Sequence, residues 1–217
     1  MLIPKLQEES FLDEIDIPWA LACLEERFDD AILILNEGCL IYGGAIRDII
    51  ADMPIHGDLD IAIPYNQYQN IMRKFDNSPR WVRKPKAKSL FVSKIQYSEQ
   101  IRSLIKNMIT YNDLSGAEVQ LIQSSACRGM GDTKYDEGIM NLVHNVDLLC
   151  SGIIMDINGK VTEVLPGAVK DCENRELNLN KEIDRKLIDV KVLRNRIQKL
   201  VKRGWKNNIN IEQFKEK

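Results

Sequence analysis

Only two histidines, His56 and His144, occur in the 217 residues. A histidine-rich metal centre or a nucleophile–histidine–acid triad has almost no material here, so any chemistry must rest on carboxylates. The five cysteines, Cys23, Cys39, Cys127, Cys150 and Cys172, are odd in number and never spaced Cys-x-x-Cys. That excludes an orderly disulfide framework or a zinc knuckle and leaves buried free thiols. No apolar run approaches the roughly 18 residues that a bilayer span needs. The opening MLIPKLQEES carries two glutamates where a secretory leader needs cations. A cytoplasmic protein without a membrane partner is expected. No internal repeat or Gly/Ser-rich linker interrupts the sequence, which argues for one continuous fold.

What is present is the material of a globular protein: 44% hydrophobic residues, 29% charged residues and a formal net charge of -2. Collagen-like, low-complexity and disordered classes are excluded. The length fits one domain of roughly 100 to 200 residues plus an extension, not two large domains. The near-zero net charge hides an asymmetry. Residues 1 to 30 hold nine acids against Lys5 and Arg27, whereas residues 80 to 94 hold six bases and no acid. Between Lys181 and Lys206 ten Lys or Arg face only Glu182, Asp184 and Asp189. Such a basic helical stripe can neutralise the phosphates of a nucleic acid or of a nucleotide tail, or it can be a solvated amphipathic face.

Periodicity orders the elements as α+β. Leu21, Leu24, Phe28 and Ile32 recur at helical spacing after Pro18. GCLIYGG reads as a short buried strand running into two glycines, and AIRDIIADM as the helix they open. DLDIAIP alternates Asp58, Asp60 and Ala62 against Leu59, Ile61 and Ile63, the pattern of a half-buried strand. Residues 66–75 read as a helix, 88–97 as a strand, 98–108 as a helix and AEVQLIQ as another alternating strand. Asn158-Gly159 predicts a hairpin between two further strands.

Two carboxylates at i and i+2 on one strand project side by side, and their mutual repulsion is relieved by divalent cations. Oxygen donors suit Mg²⁺ or Mn²⁺, and a pair of such ions can clamp the attacking and leaving oxygens of a phosphoryl displacement. Gly43 and Gly44, ending a strand and opening a helix, let backbone N–H groups approach an anion such as a triphosphate. Arg47, one turn further, can reach those phosphates or pair locally with Asp48.

The stretch IYGGAIRDIIADMPIHGDLDIAI resembles the signature of the poly(A) polymerase and tRNA CCA-adding nucleotidyltransferases, G-G-x-x-R-D followed by D-x-D. VDLLCSGIIMDINGKVTEVLPGAVKDCENREL resembles a later segment of that family, in the right order. The resemblance implies a polymerase-beta-like nucleotidyltransferase head at residues 38–179, a five-stranded mixed sheet flanked by helices. An N-terminal helical segment (1–37) precedes it and a basic helical extension (180–217) follows. It further implies Asp58, Asp60 and Glu118 as metal ligands and catalytic carboxylates, Gly43, Gly44 and Arg47 around the triphosphate, and Asp147 as a ribose contact. Mg²⁺ or Mn²⁺ would be the cofactor and a nucleoside triphosphate the substrate. On its alternating strand Gln120 shares the face of Glu118, so the third ligand is a carboxylate or a neutral amide according to register.

Departures matter equally. Asn145-Val146 stand where the family has two arginines, and its base-reading E-D-x-x-R element is absent. Lys191 and Arg194 are loose stand-ins for basic residues of the family's neck. With RNA as the expected acceptor, Arg194, Arg196, Lys199, Lys202 and Arg203 of the basic helix are the expected RNA contacts.

Overall fold

The computed structural model describes residues 14–16, 18–36, 38–84, 105–124, 137–183, 185 and 188–214. In chain order these form β1 (Glu14–Asp16), α1 (Pro18–Ile34), β2 (Leu40–Tyr42), α2 (Gly44–Ile50), β3 (Leu59–Ile63) and α3 (Tyr68–Asp76). There follow β4 (Val82–Arg83), β5 (Ile105–Asn112), β6 (Glu118–Ser124), α4 (Glu137–His144), β7 (Ile153–Asp156) and β8 (Lys160–Glu163). The last elements are α5 (Ala168–Glu173), β9 (Glu176–Leu177), α6 (Val190–Val201) and β10 (Lys206–Asn207). The fold is α+β with a mixed sheet, as the periodicity predicts.

Among the described residues the sheet has eight strands in the order β1-β8-β7-β2-β3-β6-β5-β4, rather than the five the resemblance implies. Three short strands toward the two ends of the sheet, β1 and β8 at one and β4 at the other, account for the difference. The Asn158-Gly159 turn, with Gly159 at φ 83°, folds β8 onto β7; β1 pairs outside β8, and β4 pairs with β5. Only β3 and β6 run parallel within this sheet. The helix expected over 98–108 is overturned where it can be followed, because residues 105–108 belong to β5. The run IKNMITYN is rich in β-branched and aromatic residues and pairs along its length with β6, so sheet pairing overrides the local helical spacing. The strand expected over 88–97 and most of the basic run 80–94 lie outside the described residues.

Alternation along β3 separates two apolar layers. Leu59, Ile61 and Ile63 enter one core with Leu24 and Phe28 of α1, Ile46 and Ile49 of α2, and Ile71 and Phe75 of α3. Ala62 faces the opposite side with Leu40, Tyr42, Ile122 and Ile154, covered by Leu142 and Val143 of α4. Asp60, two residues before Ala62, shares that second face. α6 starts at Asp189, whose carboxylate accepts the Val192 N–H at 3.1 Å, which is N-capping. Its apolar stripe Val190, Leu193, Ile197 and Leu200 is buried, and Leu193 and Ile197 join the main core. Leu193→Ala would cost about 2 to 5 kcal/mol there. Beyond α6, Trp205 is buried and β10 pairs in parallel with β9.

Candidate active site

The turn between β2 and α2 sets one side of a cavity of about 350 Å³. Gly43 has φ 78° and ψ -135°, a conformation that only glycine adopts without strain. A Cβ at this position would lie 3.2 Å from Asp60 Oδ2. The conformational demand therefore falls on Gly43, while Gly44 begins α2 with an ordinary backbone. Tyr42, Gly43, Gly44, Asp58 and Asp60 line the cavity from the sheet side. Asn195, Arg196, Lys199 and Arg203 line it from the C-terminal segment.

The strand register decides which residues meet the aspartates. Across the sheet Tyr42 pairs with Asp60, Asp60 with Gln120, and Gln120 with Thr110. Gln120 is 3% exposed, and its Nε2 donates to Asp58 Oδ2. Glu118 is instead ion-paired with Lys84, whose backbone N–H donates to the Thr110 carbonyl at 2.9 Å. Among the described residues no group of three or more His, Cys, Asp or Glu is arranged to hold a metal ion.

Both aspartates are held above the usual carboxylate range. For Asp58 the cause is burial first and then the Glu118 charge, opposed by Lys199 and Lys84. Asp60 is raised further, by burial and then by the Asp58 charge, with Arg196 and Arg47 pulling the other way. Asp60 Oδ1 and Gln120 Oε1 are buried and accept no hydrogen bond. A buried polar oxygen without a donor is costly, and a hard divalent cation would satisfy it and hold the carboxylates ionised, so this oxygen donor set fits Mg²⁺ or Mn²⁺.

The remaining expected residues divide. Arg47 donates to Asp48 Oδ1 through Nε and Nη2 at 3.1 and 2.8 Å and lies 5.6 Å from the Trp205 ring centroid, so it makes the local pair while still edging the cavity. Asp147 accepts the Leu148 N–H and is ion-paired with Arg196 at 2.6 Å. Asp147 itself does not line the cavity, although its neighbours Val146 and Leu148 do. Of the five basic residues expected at RNA, Arg196, Lys199 and Arg203 line the same cavity as the aspartates, and Arg194 and Lys202 do not. Arg203 is moreover bound to Asp48. Sequence reasoning missed Lys84 as the partner of Glu118, and Asn195 and Ser151 as lining residues. No spacing signal marks any of them, because each reaches the site from a distant element.

No protein-family profile and no curated protein matches the sequence. Solved structures do match the fold. A Thermotoga maritima CCA-adding enzyme complexed with tRNA superposes with a TM-score of 0.59 at 12% identity, over 93% of this chain and 44% of that one. A CCA-adding enzyme with CTP matches with a TM-score of 0.57 at 11% identity, over 93% of this chain and 45% of that one. Another with ATP gives 0.55 at 12% identity over the same shares. The chain thus spans less than half the length of these enzymes. Over that span, its glycine turn, paired aspartates and mixed sheet are built on the fold of the CCA-adding nucleotidyltransferases.

Proposed function

We propose that the protein transfers a nucleoside monophosphate from a nucleoside triphosphate to a hydroxyl of RNA and releases pyrophosphate. The observation that carries this reading is a bipolar cavity. Asp58, just before β3, and Asp60 within it line one side, and Arg196 and Lys199 of α6 line the other. A polyphosphate chelating a cation complements both walls at once.

In this reading Asp58 and Asp60 hold a divalent cation, Mg²⁺ or Mn²⁺, whose chemistry when bound is to favour the deprotonated acceptor hydroxyl and to neutralise the pyrophosphate charge. The chain's own residues supply position and field. Gly43 keeps the backbone of the turn open for phosphate. Lys199 and Arg196 hold the polyphosphate so that the acceptor oxygen meets the α-phosphorus as the bond to the bridging oxygen breaks. Val146 and Leu148 offer an apolar surface within the same cavity. RNA as acceptor is supported by the basic C-terminal segment and by the occurrence of this fold in an enzyme complexed with tRNA. No helix among the described residues is long and apolar enough to cross a membrane.

A second reading, nucleotide binding without turnover, is favoured by one observation: a neutral Gln120 in register with Asp60. Incubation with each α-labelled nucleoside triphosphate, Mg²⁺ or Mn²⁺ and total RNA separates the two. Label in the RNA fraction, lost in Asp58→Ala and Asp60→Ala variants that remain folded, is the expected result. Bound nucleotide without labelled product is the signature of the second reading, and label on protein would make the acceptor hydroxyl a protein's.

A further inference from the structure

The function proposed above, on which this inference rests, has a cation held by Asp58 and Asp60, and a third side chain stands beside them. Asp60 and Gln120 are directly opposed on the parallel strands β3 and β6. Each carries a buried oxygen, Oδ1 of Asp60 and Oε1 of Gln120, that accepts no hydrogen bond. Gln120 is 3% exposed, and its amide nitrogen is committed to Asp58 Oδ2. That donation anchors the amide against the aspartate pair and leaves its carbonyl oxygen as the end with nothing to satisfy it. An amide oxygen is an ordinary hard ligand for a divalent cation.

Glu118 stands differently. Its carboxylate is taken by Lys84, both side chains are partly solvent-exposed, and Lys84 is fixed by its backbone bond to Thr110. Recruiting Glu118 to a cation would require breaking that ion pair and leaving the Lys84 ammonium beside the incoming positive charge. The sheet already presents Gln120 at the position level with Asp60.

We propose that Gln120, through Oε1, and not Glu118, is the third protein ligand of the cation held by Asp58 and Asp60. The protein ligands then carry two negative charges instead of three. Such a site neutralises a divalent ion without excess charge and holds it more weakly than three carboxylates would, because affinity in oxygen sites follows ligand charge. The bound nucleotide's phosphates therefore carry more of the ion's coordination, so cation binding is coupled to nucleotide binding.

Protein-bound Mn²⁺, measured by equilibrium dialysis as the excess over a protein-free compartment in the presence of a nucleoside triphosphate analogue with an α,β-methylene bridge, tests this without turnover. Asp60→Asn should abolish tight binding. Gln120→Met, close in shape but without a hard oxygen, should weaken it roughly tenfold or more, and Gln120→Glu should tighten it by on the order of tenfold. Glu118→Gln should weaken it less than Gln120→Met does, because it removes only a nearby charge and no ligand. The proposal is overturned if Gln120→Met binds like wild type while folded by circular dichroism, or if Glu118→Gln weakens binding as Asp60→Asn does. If wild type takes up no Mn²⁺ with the analogue bound, or if Asp60→Asn leaves uptake unchanged, the cation-dependent function falls and this ligand assignment falls with it. Weakening by Asp60→Asn without weakening by Gln120→Met removes only the assignment.

Discussion

Arg203 and Asp48, 155 positions apart, meet through two hydrogen bonds: Nη1 and Nη2 of the arginine donate to Oδ1 and Oδ2 at 3.3 and 2.9 Å. The Asp48 side chain is 1% exposed and the Arg203 side chain 11% exposed. Arg47 shares Oδ1, and the His56 backbone N–H reaches Oδ2 at 3.4 Å. The carboxylate of the helix after the glycine turn is therefore the anchor to which the segment following α6 is tied.

Removing Arg203 takes one of two guanidinium partners from the buried Asp48 carboxylate and leaves Arg47 and the His56 N–H. Arg203→Leu is expected to lower folding stability by about 1 to 3 kcal/mol, measured by urea denaturation. A loss below about 1 kcal/mol would mean that the pair behaves like a surface contact. A double-mutant cycle with Asp48→Asn isolates the pairwise share.

Gly43→Ala places a Cβ in a backbone region almost reserved for glycine and 3.2 Å from Asp60 Oδ2. The strain is expected to cost about 1 to 3 kcal/mol, and triphosphate affinity measured by calorimetry should fall with it. Gly44→Ala lacks the backbone penalty, so its effect on stability should be the smaller of the two. Equal thermal unfolding shifts for both variants would contradict this.

The basic residues near the C-terminus should separate by the side they face. Lys199→Ala removes a cation that lines the cavity, and a loss of roughly tenfold in nucleoside triphosphate affinity is expected, with a smaller loss for the monophosphate. Lys202 is exposed and does not line the cavity. Lys202→Glu should leave nucleotide affinity unchanged, and if RNA lies along that face it should flatten the salt dependence of RNA binding by about one phosphate contact. Nucleotide titrations and RNA binding at several salt concentrations read the two effects separately.

His144 ends α4, half-buried, and burial pushes its imidazole below the ordinary value of 6.5, against a smaller upward pull from Glu182. The native state therefore prefers the neutral ring. The stability this contributes is fully present above pH 6.5 and is lost as pH falls through the lowered native value. Denaturation midpoints should decline on acidification below about pH 6.5, and the decline should be shallower in His144→Asn. An identical pH profile for the variant would remove His144 as its source.

The part of the site that was legible from residue order is the part that is local. The β2–turn–α2 unit and the two aspartates of DLDIAI all lie between Leu40 and Asp60, and alternation alone puts Asp58 and Asp60 on one face. Whether Glu118 or Gln120 stands level with Asp60 was not decidable, because a parallel register between β3 and β6 is set by packing across the long intervening chain. The basic stripe of α6 was visible as charge, but not the direction in which it points. Leu193, Ile197 and Leu200 turn one face of that helix inward, and the Arg203–Asp48 contact then fixes which cations face the cavity. The helix expected over 98–108 failed at 105–108 because hydrogen bonding to β6 outweighs spacing read one segment at a time.

The cavity draws its acidic wall from residues 58–60 and its basic wall from residues 195–203. During synthesis these walls are therefore made far apart in time. The carboxylate pair and the glycine turn emerge early and can fold onto the sheet, but the opposing cations arrive only with the last turns of α6. A nascent chain would thus pass through a stage in which Asp58, Asp60 and the glycine turn are present without the cations of the opposite wall. On the function proposed above, the grip on a polyphosphate is completed only when Arg203 reaches Asp48 and β10 adds to β9.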